Sequence, residues 1–449
     1  MILILYRTDS SGTCEFSKGT DMDIREKLSG KRLIKNVSWI FFGNVAHAIL
    51  SFALNIFVAR VLSLNDNGML TFATSWITFF SSVGTLGFHG IISREFSKDE
   101  EKGNEYIWSC IAARLLFSVL AIVSLQVIVR ISSPNEPLLH IIVLCQSMQI
   151  LVGSFDIFVY WYRYKNKASI AAIFRLIAFG ISAVWRVVAI AVFNNLTLYV
   201  LGIVAETTIF VLFLYIFYRN HYTKHIRVSK KTILILLKIS YPFIFSSVLS
   251  TIYGQADKIM LKSMIDNSAV ALYNAATTLA GLVVIIPTTL IEGFRPDIMD
   301  SKLYDEALYQ KRLRQLYAII FWICIAYGLI ITIFARHIIL LVYGEKYLGA
   351  VGALSLVVWY TSFSYFGAIN NVYMVAEDKI KWVQVTTLIG ALCNVLLNFA
   401  LIPSMGIVGA ALASLLTQML ANFILMAIIP DLRKGFGIMV KGIALRNIK

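Results

Sequence analysis

Charge is scarce in this chain, and paired cysteines are missing. Only 14% of its 449 residues are charged, 58% are hydrophobic and the mean hydropathy is +0.76. A soluble domain carries about a quarter of its residues charged, so a water-soluble globular protein is excluded. The five cysteines show no paired spacing, and four of them (Cys110, Cys145, Cys324, Cys393) fall in apolar stretches, so neither a disulfide framework nor a metal site is implied. No phosphate-binding loop of the G-x-x-x-x-G-K-S/T kind occurs, and no polar segment could hold a nucleotide-binding domain, so ATP hydrolysis by this chain is excluded. The alternating pattern of a membrane barrel is absent. Residues 1–21 lack the order of a cleavable signal, and Met22 is the expected start of translation.

What is present in quantity is apolar sequence in runs of about 20 residues, long enough to cross hydrocarbon. Twelve such runs are expected, at 34–60, 67–93, 107–130, 138–162, 168–192, 197–218, 236–262, 268–294, 313–335, 348–375, 381–402 and 406–429. Lipid offers no partner for backbone polar groups, so these spans are predicted to be helices and the chain an all-α integral membrane protein.

A formal net charge of +15 is compatible with nucleic-acid binding, but the basic residues sort by side of the membrane. With the N-terminus inside, the inner segments carry twenty-nine Lys/Arg and the outer ones only Arg60, Arg130, Lys262, Arg336 and Lys346. This asymmetry predicts cytoplasmic termini at both ends, and nucleic acid is not expected as a partner.

The chain also reads as built twice. "LGIVAETTIF" (201–210) resembles "MGIVGAALAS" (405–414), 204 positions later. At an offset of 202, Ser38 and Trp39 fall on Ser240 and Tyr241, Arg60 on Lys262, and "TFAT" (71–74) on "YNAA" (273–276). Six spans per half give parallel repeats about an axis along the membrane normal, and two such lobes enclose a cleft. The expected organisation is a cytoplasmic segment 1–33, a first lobe 34–218, a cytoplasmic linker 219–235, a second lobe 236–429 and a basic cytoplasmic tail 430–449.

Polar residues inside the spans are the candidate site. Asn44, His47, Ser51 and Asn55 are spaced 3, 4 and 4, which puts them on one helical face, and the offset carries that face onto Ser246, Leu249, Tyr253 and Asp257. They line a cavity or supply hydrogen bonds between helices. Glu206, about 13 Å into span 6, and Asp257 are the acidic candidates for carrying a coupling proton or cation, with a salt bridge or cap as the alternative. Arg114, Arg175, Arg186 and Lys258 are the candidates for an anionic headgroup. Arg175 and Arg186 lie eleven apart and share a face, which suits bidentate grip on a phosphate. For Arg114 and Arg175 the alternative is snorkelling to the headgroups. His47 titrates near neutral pH or packs. The cluster "FDIFVYWYRY" (155–164) serves as a sugar-stacking surface or as an interfacial belt.

Taken in order, "NVSWIFFGN", "VARVLSLNDNGMLTFA", "ISYPFIFSSVLSTIYGQADKIML", "ALYNAATTLAGLVVIIPTTL", "LLVYGEKYLGA" and "CNVLLNFALIPSMGIVGAALAS" resemble polysaccharide flippases of the O-antigen Wzx type, in the multidrug and oligosaccharidyl-lipid flippase superfamily. The resemblance covers nearly the whole chain after about residue 33. It implies twelve helices in two six-helix lobes and a cation-rich cavity. It also implies alternating-access transfer of an undecaprenyl-pyrophosphate-linked oligosaccharide across a bacterial inner membrane, driven by a proton or sodium gradient. The bilayer and the lipid-linked oligosaccharide are then the partners, with a polysaccharide polymerase and a chain-length regulator as further ones; no cofactor is implied and the chain is not an enzyme. Related drug exporters often carry an acid in an early helix of the first lobe, where this chain has Asn44 and Asn55. A cation-coupled exporter of drugs or small molecules is the alternative within transport. A membrane polysaccharide polymerase is the alternative outside it, disfavoured by the short outer loops.

Overall fold

The computed structural model describes residues 30–222 and 225–445, without the side chains of residues 30–42 and of Asn44. Cys14 and Met22 lie outside the described residues. Among these there is no strand, as the expectation of helices in lipid requires. The helices are α1 (Gly30–Val61), α2 (Leu64–Gly84), α3 (Ile92–Lys98), α4 (Gly103–Ser132), α5 (Pro137–Val152), α6 (Ile157–Tyr164), α7 (Ala168–Ala191) and α8 (Leu196–His221). The second half continues with α9 (Lys230–Met264), α10 (Asn267–Ala280), α11 (Ile285–Tyr304), α12 (Glu306–Val342), α13 (Val351–Ala376), α14 (Ile380–Met419), α15 (Leu425–Ile428) and α16 (Arg433–Ile443).

Short polar side chains start many of these helices. Ser63, Asn195, Ser229, Asp266 and Asp305 each accept from a backbone N–H in the first turn that follows, a cap worth about 1 kcal/mol apiece. α14 reverses direction within its length. Gly406 has φ 60° and ψ −136°, and Asn394 donates to Ser414 at 3.1 Å, although twenty residues of straight helix would span about 30 Å. A Cβ on Gly409 would lie 2.3 Å from the Leu401 carbonyl oxygen, so only glycine lets the two arms of this hairpin meet.

Nine helical segments among the described residues are long and apolar enough to cross a membrane. The hairpin divides the last of them, Ile380–Ile428, into two. The expected twelve also counts α1, whose apolar part is Val45–Val61, and α2, of 21 residues.

Burial divides along the membrane axis. At the end carrying Arg60, Asn67, Asn267 and Tyr347, one core runs through both halves, with Val58, Phe72, Leu125 and Val200 packed in the same cluster as Leu261, Val270, Ile339 and Val357. At the other end, which carries Arg94, Arg163, Lys302 and Lys379 and is called the basic end below, there are two separate cores. One holds Phe88, Ile107, Phe158 and Leu214. The other holds Ile298, Leu313, Ile369 and Met426. The halves are therefore joined at the far end and parted at the basic end. One element crosses the divide: Leu236 of α9 is buried in the first core, and Ser229 and Thr232 bond Ser109 and Glu105 of α4. The sequence-derived lobe boundary at residue 236 thus falls inside a helix whose start packs on the first half.

The far-end junction is polar and nearly two-fold. Arg60 reaches across from the end of α1 to the Val342 carbonyl at 2.8 Å and to that of Leu341, capping the last turn of α12. Lys346 reaches back to the carbonyls of Arg60 (2.8 Å) and Leu62 (2.5 Å), capping α1. Both place a cation at the negative end of a helix. Lys262, the repeat partner of Arg60, pairs with Glu136 of the first half. Asn65 and Asn267, 202 positions apart, bond each other at 3.0 Å, and Asn67 donates to Tyr347 Oη at 2.6 Å. A side-chain bond between residues separated by the repeat offset is what a pair lying on the pseudo-axis makes.

At the basic end, α16 docks on the second half through ion pairs. Lys434 pairs with Glu306 (2.7 Å) and Glu377 (3.3 Å), and Lys302 pairs with Glu377 (2.7 Å) and Glu306 (2.9 Å). Burial raises the Glu377 carboxyl, but the Lys302 bond and the charges of Lys434 and Lys302 outweigh it and hold the group below its ordinary value.

Candidate functional site

Each half places one acid deep in its helices, Glu206 in the first and Asp257 in the second, and the two are satisfied in opposite ways. In the first half, α1, α7 and α8 bring His47, Ser182, Arg186 and Glu206 together. Arg186 Nη2 donates to Glu206 Oε2 at 2.6 Å and to Ser182 Oγ at 2.8 Å, while its guanidinium lies 5.1 Å from the centroid of the Phe179 ring. His47 Nε2 stands 3.5 Å from Glu206 Oε1 and its Nδ1 3.5 Å from Ser51 Oγ. Arg186 is buried, whereas the side chains of His47 and Glu206 are 30% and 21% exposed, so the acid faces an opening while its cation does not.

In the second half Asp257 of α9 is buried with no cation within ion-pair distance among the described residues. Neutral donors satisfy it instead: Tyr273 Oη at 2.5 Å, Asn398 Nδ2 at 2.6 Å and Ser414 Oγ at 2.7 Å. Asn398 also donates to Asn394 Oδ1 at 3.2 Å, and its own Oδ1 is buried without a partner. The result is one carboxylate ringed by three neutral hydrogen-bond donors, two hydroxyls and a carboxamide N–H. Next in sequence, Lys258 donates to Asn274 Oδ1 at 2.9 Å.

The four candidate cations do not converge. Arg114 is 4% exposed and held by Asp156 Oδ1 at 2.5 Å and the Gly153 carbonyl at 2.9 Å. It is therefore a structural brace at the break between α5 and α6, and the snorkelling alternative is corrected for it. Arg186 is committed to Glu206 and Lys258 to Asn274. Arg175 is exposed, with its guanidinium 5.0 Å from the centroid of the Phe210 ring and no ion pair among the described residues. Arg175 and Arg186 share α7, as the eleven-residue spacing requires, but one is open and the other closed by an acid.

The polar stripe is partly assembled. His47 and Ser51 join the Glu206 cluster, Asn55 is exposed, Ser246 is half-buried, and the side chain of Asn44 lies outside the described residues. The aromatic cluster of residues 155–164 is largely neither belt nor stacking surface. Phe158, Trp161 and Tyr162 are 0–5% exposed and form the first half's basic-end core, because the turn at Gly153–Asp156 swings α6 inward against α3 and α8.

A cavity of about 270 Å³ lies between α9, α13 and both arms of α14, and of the residues that line it the sequence pointed only to Tyr253, on the repeated polar stripe. Tyr253, Asn371, Thr386, Gln418 and Asn422 line it. Its signal was available in Gln418 and Asn422, four apart on an apolar helix, as Asn394 and Asn398 beside Asp257 also are. Neither pair carries charge, so hydropathy and charge patterning do not mark either one.

Residues 33–292 match the family model described as polysaccharide biosynthesis protein. A probable flippase from Haloferax volcanii, AglR, is 25% identical over 181 residues, which is 40% of this chain and 38% of that protein's length. Among solved structures, the lipid II flippase MurJ in an inward closed conformation superposes with a TM-score of 0.71 at 15% identity, covering 90% of this chain and 91% of that one. An inward-facing multidrug resistance MATE transporter of the MOP superfamily gives 0.65 at 13% identity, covering 88% and 96%. The chain has the fold that these two transporters share, and it belongs to the polysaccharide biosynthesis protein family.

Proposed function

We propose that this chain is a flippase carrying a prenyl-pyrophosphate-linked oligosaccharide, an O-antigen or capsule repeat unit, from the cytoplasmic to the outer leaflet of a bacterial inner membrane. The observation that carries this is the division of the core: two halves joined at the far end and parted at the basic end leave a cleft open on one side. The excess of Lys/Arg assigns that open side to the cytoplasm, where lipid-linked sugars are assembled. Two six-helix lobes, 34–218 and 236–429, would alternate between this arrangement and one closed at the basic end.

The diphosphate sets the chemistry. An unpaired anion in a low-dielectric cleft costs far more than folding stability can offset. Arg175 is the open cation able to meet it. Arg186 is held by Glu206 until a stronger anion competes, and release of Glu206 beside His47 couples ligand arrival to proton uptake. Asp257, ringed by neutral oxygens and donors, is the second coupling position, for a proton or sodium ion. The sugars would occupy the polar cleft and the prenyl chain would stay in lipid between the lobes. A polymerase and a chain-length regulator at the outer face would receive the product.

The fold shared with MATE transporters keeps export of a small molecule as the second reading. Deleting the gene in its host and probing the lipid-linked repeat unit with a sugar-modifying reagent that cannot cross the membrane separates the two. Accumulation on the cytoplasmic leaflet with loss of surface polysaccharide is expected; unchanged pools in both leaflets would favour the exporter.

A further inference from the structure

We infer that the cavity between α9, α13 and the α14 hairpin is a subsite for one neutral sugar ring of the transported molecule, an assignment that rests on the flippase reading above. Its walls are carboxamides (Asn371, Gln418, Asn422), hydroxyls (Tyr253, Thr386, Thr387) and small residues (Gly367, Gly390, Ala421), and no charged side chain lines it. A diphosphate or a cationic drug would enter such a space uncompensated, and a purely apolar ligand would strand its amides. A polyhydroxylated ring, each hydroxyl both donor and acceptor, is the chemistry that matches amides and hydroxyls. At about 270 Å³ the cavity falls just below the roughly 300–1,000 Å³ of sites for drug-sized ligands, the scale of one ring and not of a chain.

Three features show that the cavity is built for a polar occupant. Tyr253 Oη is buried with no hydrogen-bond partner among the described residues, a cost that a bound hydroxyl would remove. Asn422 is clamped by its bonds to Gln418 Oε1 (2.6 Å) and the Phe363 carbonyl (3.1 Å). It packs directly on Gly367, where an added Cβ would stand 2.5 Å from Asn422 Oδ1. Leu420–Ile424, which contains Asn422, is a π-helical turn, a strained form that recurs at functional sites. The cavity is lined in part by α9, the helix whose start packs on the first half.

The test uses the full-length purified protein in lipid nanodiscs and two kinds of probe: undecaprenyl pyrophosphate alone, and the same lipid carrying glucose, galactose or N-acetylglucosamine. Tyr253→Phe removes only the unpartnered hydroxyl, and Asn371→Leu changes an exposed side chain, so both variants should fold, which their melting temperatures report. At least one sugar-bearing probe should bind wild type more tightly than the bare lipid, and each variant should weaken it about three- to tenfold, one hydrogen bond's worth, leaving the bare lipid unchanged. Equal binding of all probes, or variants that alter bare and sugar-bearing lipid alike, would overturn the subsite while leaving the flippase assignment standing. Binding of no probe by wild type would overturn both.

Discussion

A single methyl group at Gly68 should force open the far end. An ideal Cβ there would lie 1.7 Å from the carbonyl oxygen of Asn267 and 2.4 Å from its carbon, whereas real Cβ contacts do not fall below 3.0 Å. The obstacle is backbone on both sides, so no rotamer change relieves it, and α2 must part from the start of α10 by more than about 1 Å. That displacement takes the Asn65–Asn267 bond of 3.0 Å and the Asn67–Tyr347 bond of 2.6 Å out of range. At about 1 kcal/mol for each bond and about 1–3 kcal/mol for overpacking, the joined arrangement loses roughly 3–5 kcal/mol. Its population relative to an open far end falls about 10²- to 10⁴-fold. Spin labels at Val61 and Glu345, on the two sides of the junction, would report this by double electron–electron resonance. Gly68→Ala should shift the distances to longer values. A distribution superimposable on that of the unsubstituted protein, in a variant that remains folded, would refute the claim that this contact sets the closure.

Four further outcomes follow from the same geometry. Replacing Asn65 and Asn267 together by cysteine should allow a cross-link across the pseudo-axis that stops transport until a reductant is added; transport undiminished by complete cross-linking would show that this end need not open. Glu206→Gln leaves Arg186 buried and unpaired, a loss of about 3–5 kcal/mol visible as a fall in melting temperature, and adding Arg186→Gln should restore most of it. Asp257→Asn keeps the size of the side chain and removes its charge, so folding should persist while acceleration of transport by a proton or sodium gradient is lost. The Glu377 carboxyl lies below its ordinary value of 4.5 when folded, so its contribution is present above about pH 4.5 and is lost as pH falls through the lower folded value. Melting temperature should therefore drop on acidification in that range, and Glu377→Gln should lack this part of the drop.

Much of the architecture was legible because lipid leaves the chain few choices. Apolar runs of about 20 residues had to become helices, and the 202-residue offset that aligned Arg60 with Lys262 reappears as the Asn65–Asn267 bond. The hairpin at Gly406 matches the expected break between 402 and 406. Partnership was harder to read. Arg114, Arg186 and Lys258 were recognised as costly charges, but what neutralises each depends on helices distant in sequence, and only Arg175 proved open. The aromatic run at 155–164 is core and not belt because of the inward turn at Gly153–Asp156, which leaves no trace in hydropathy. The neutral amides around Tyr253 and Asp257 carry no distinguishing signal, since uncharged polar residues are common in helical bundles, and their convergence appears only once α9, α13 and α14 are packed.

The central claim is tested most directly by reconstitution. The purified protein would be placed in sealed vesicles whose outer leaflet is loaded with undecaprenyl pyrophosphate bearing the host's own repeat unit, and the sugar remaining accessible to an impermeant lectin would be followed with time. Protein-containing vesicles should lose accessible sugar faster than protein-free ones, and the Asn65/Asn267 cysteine pair, once cross-linked, should abolish the difference. Equal rates with and without a folded, uncross-linked protein would contradict the account.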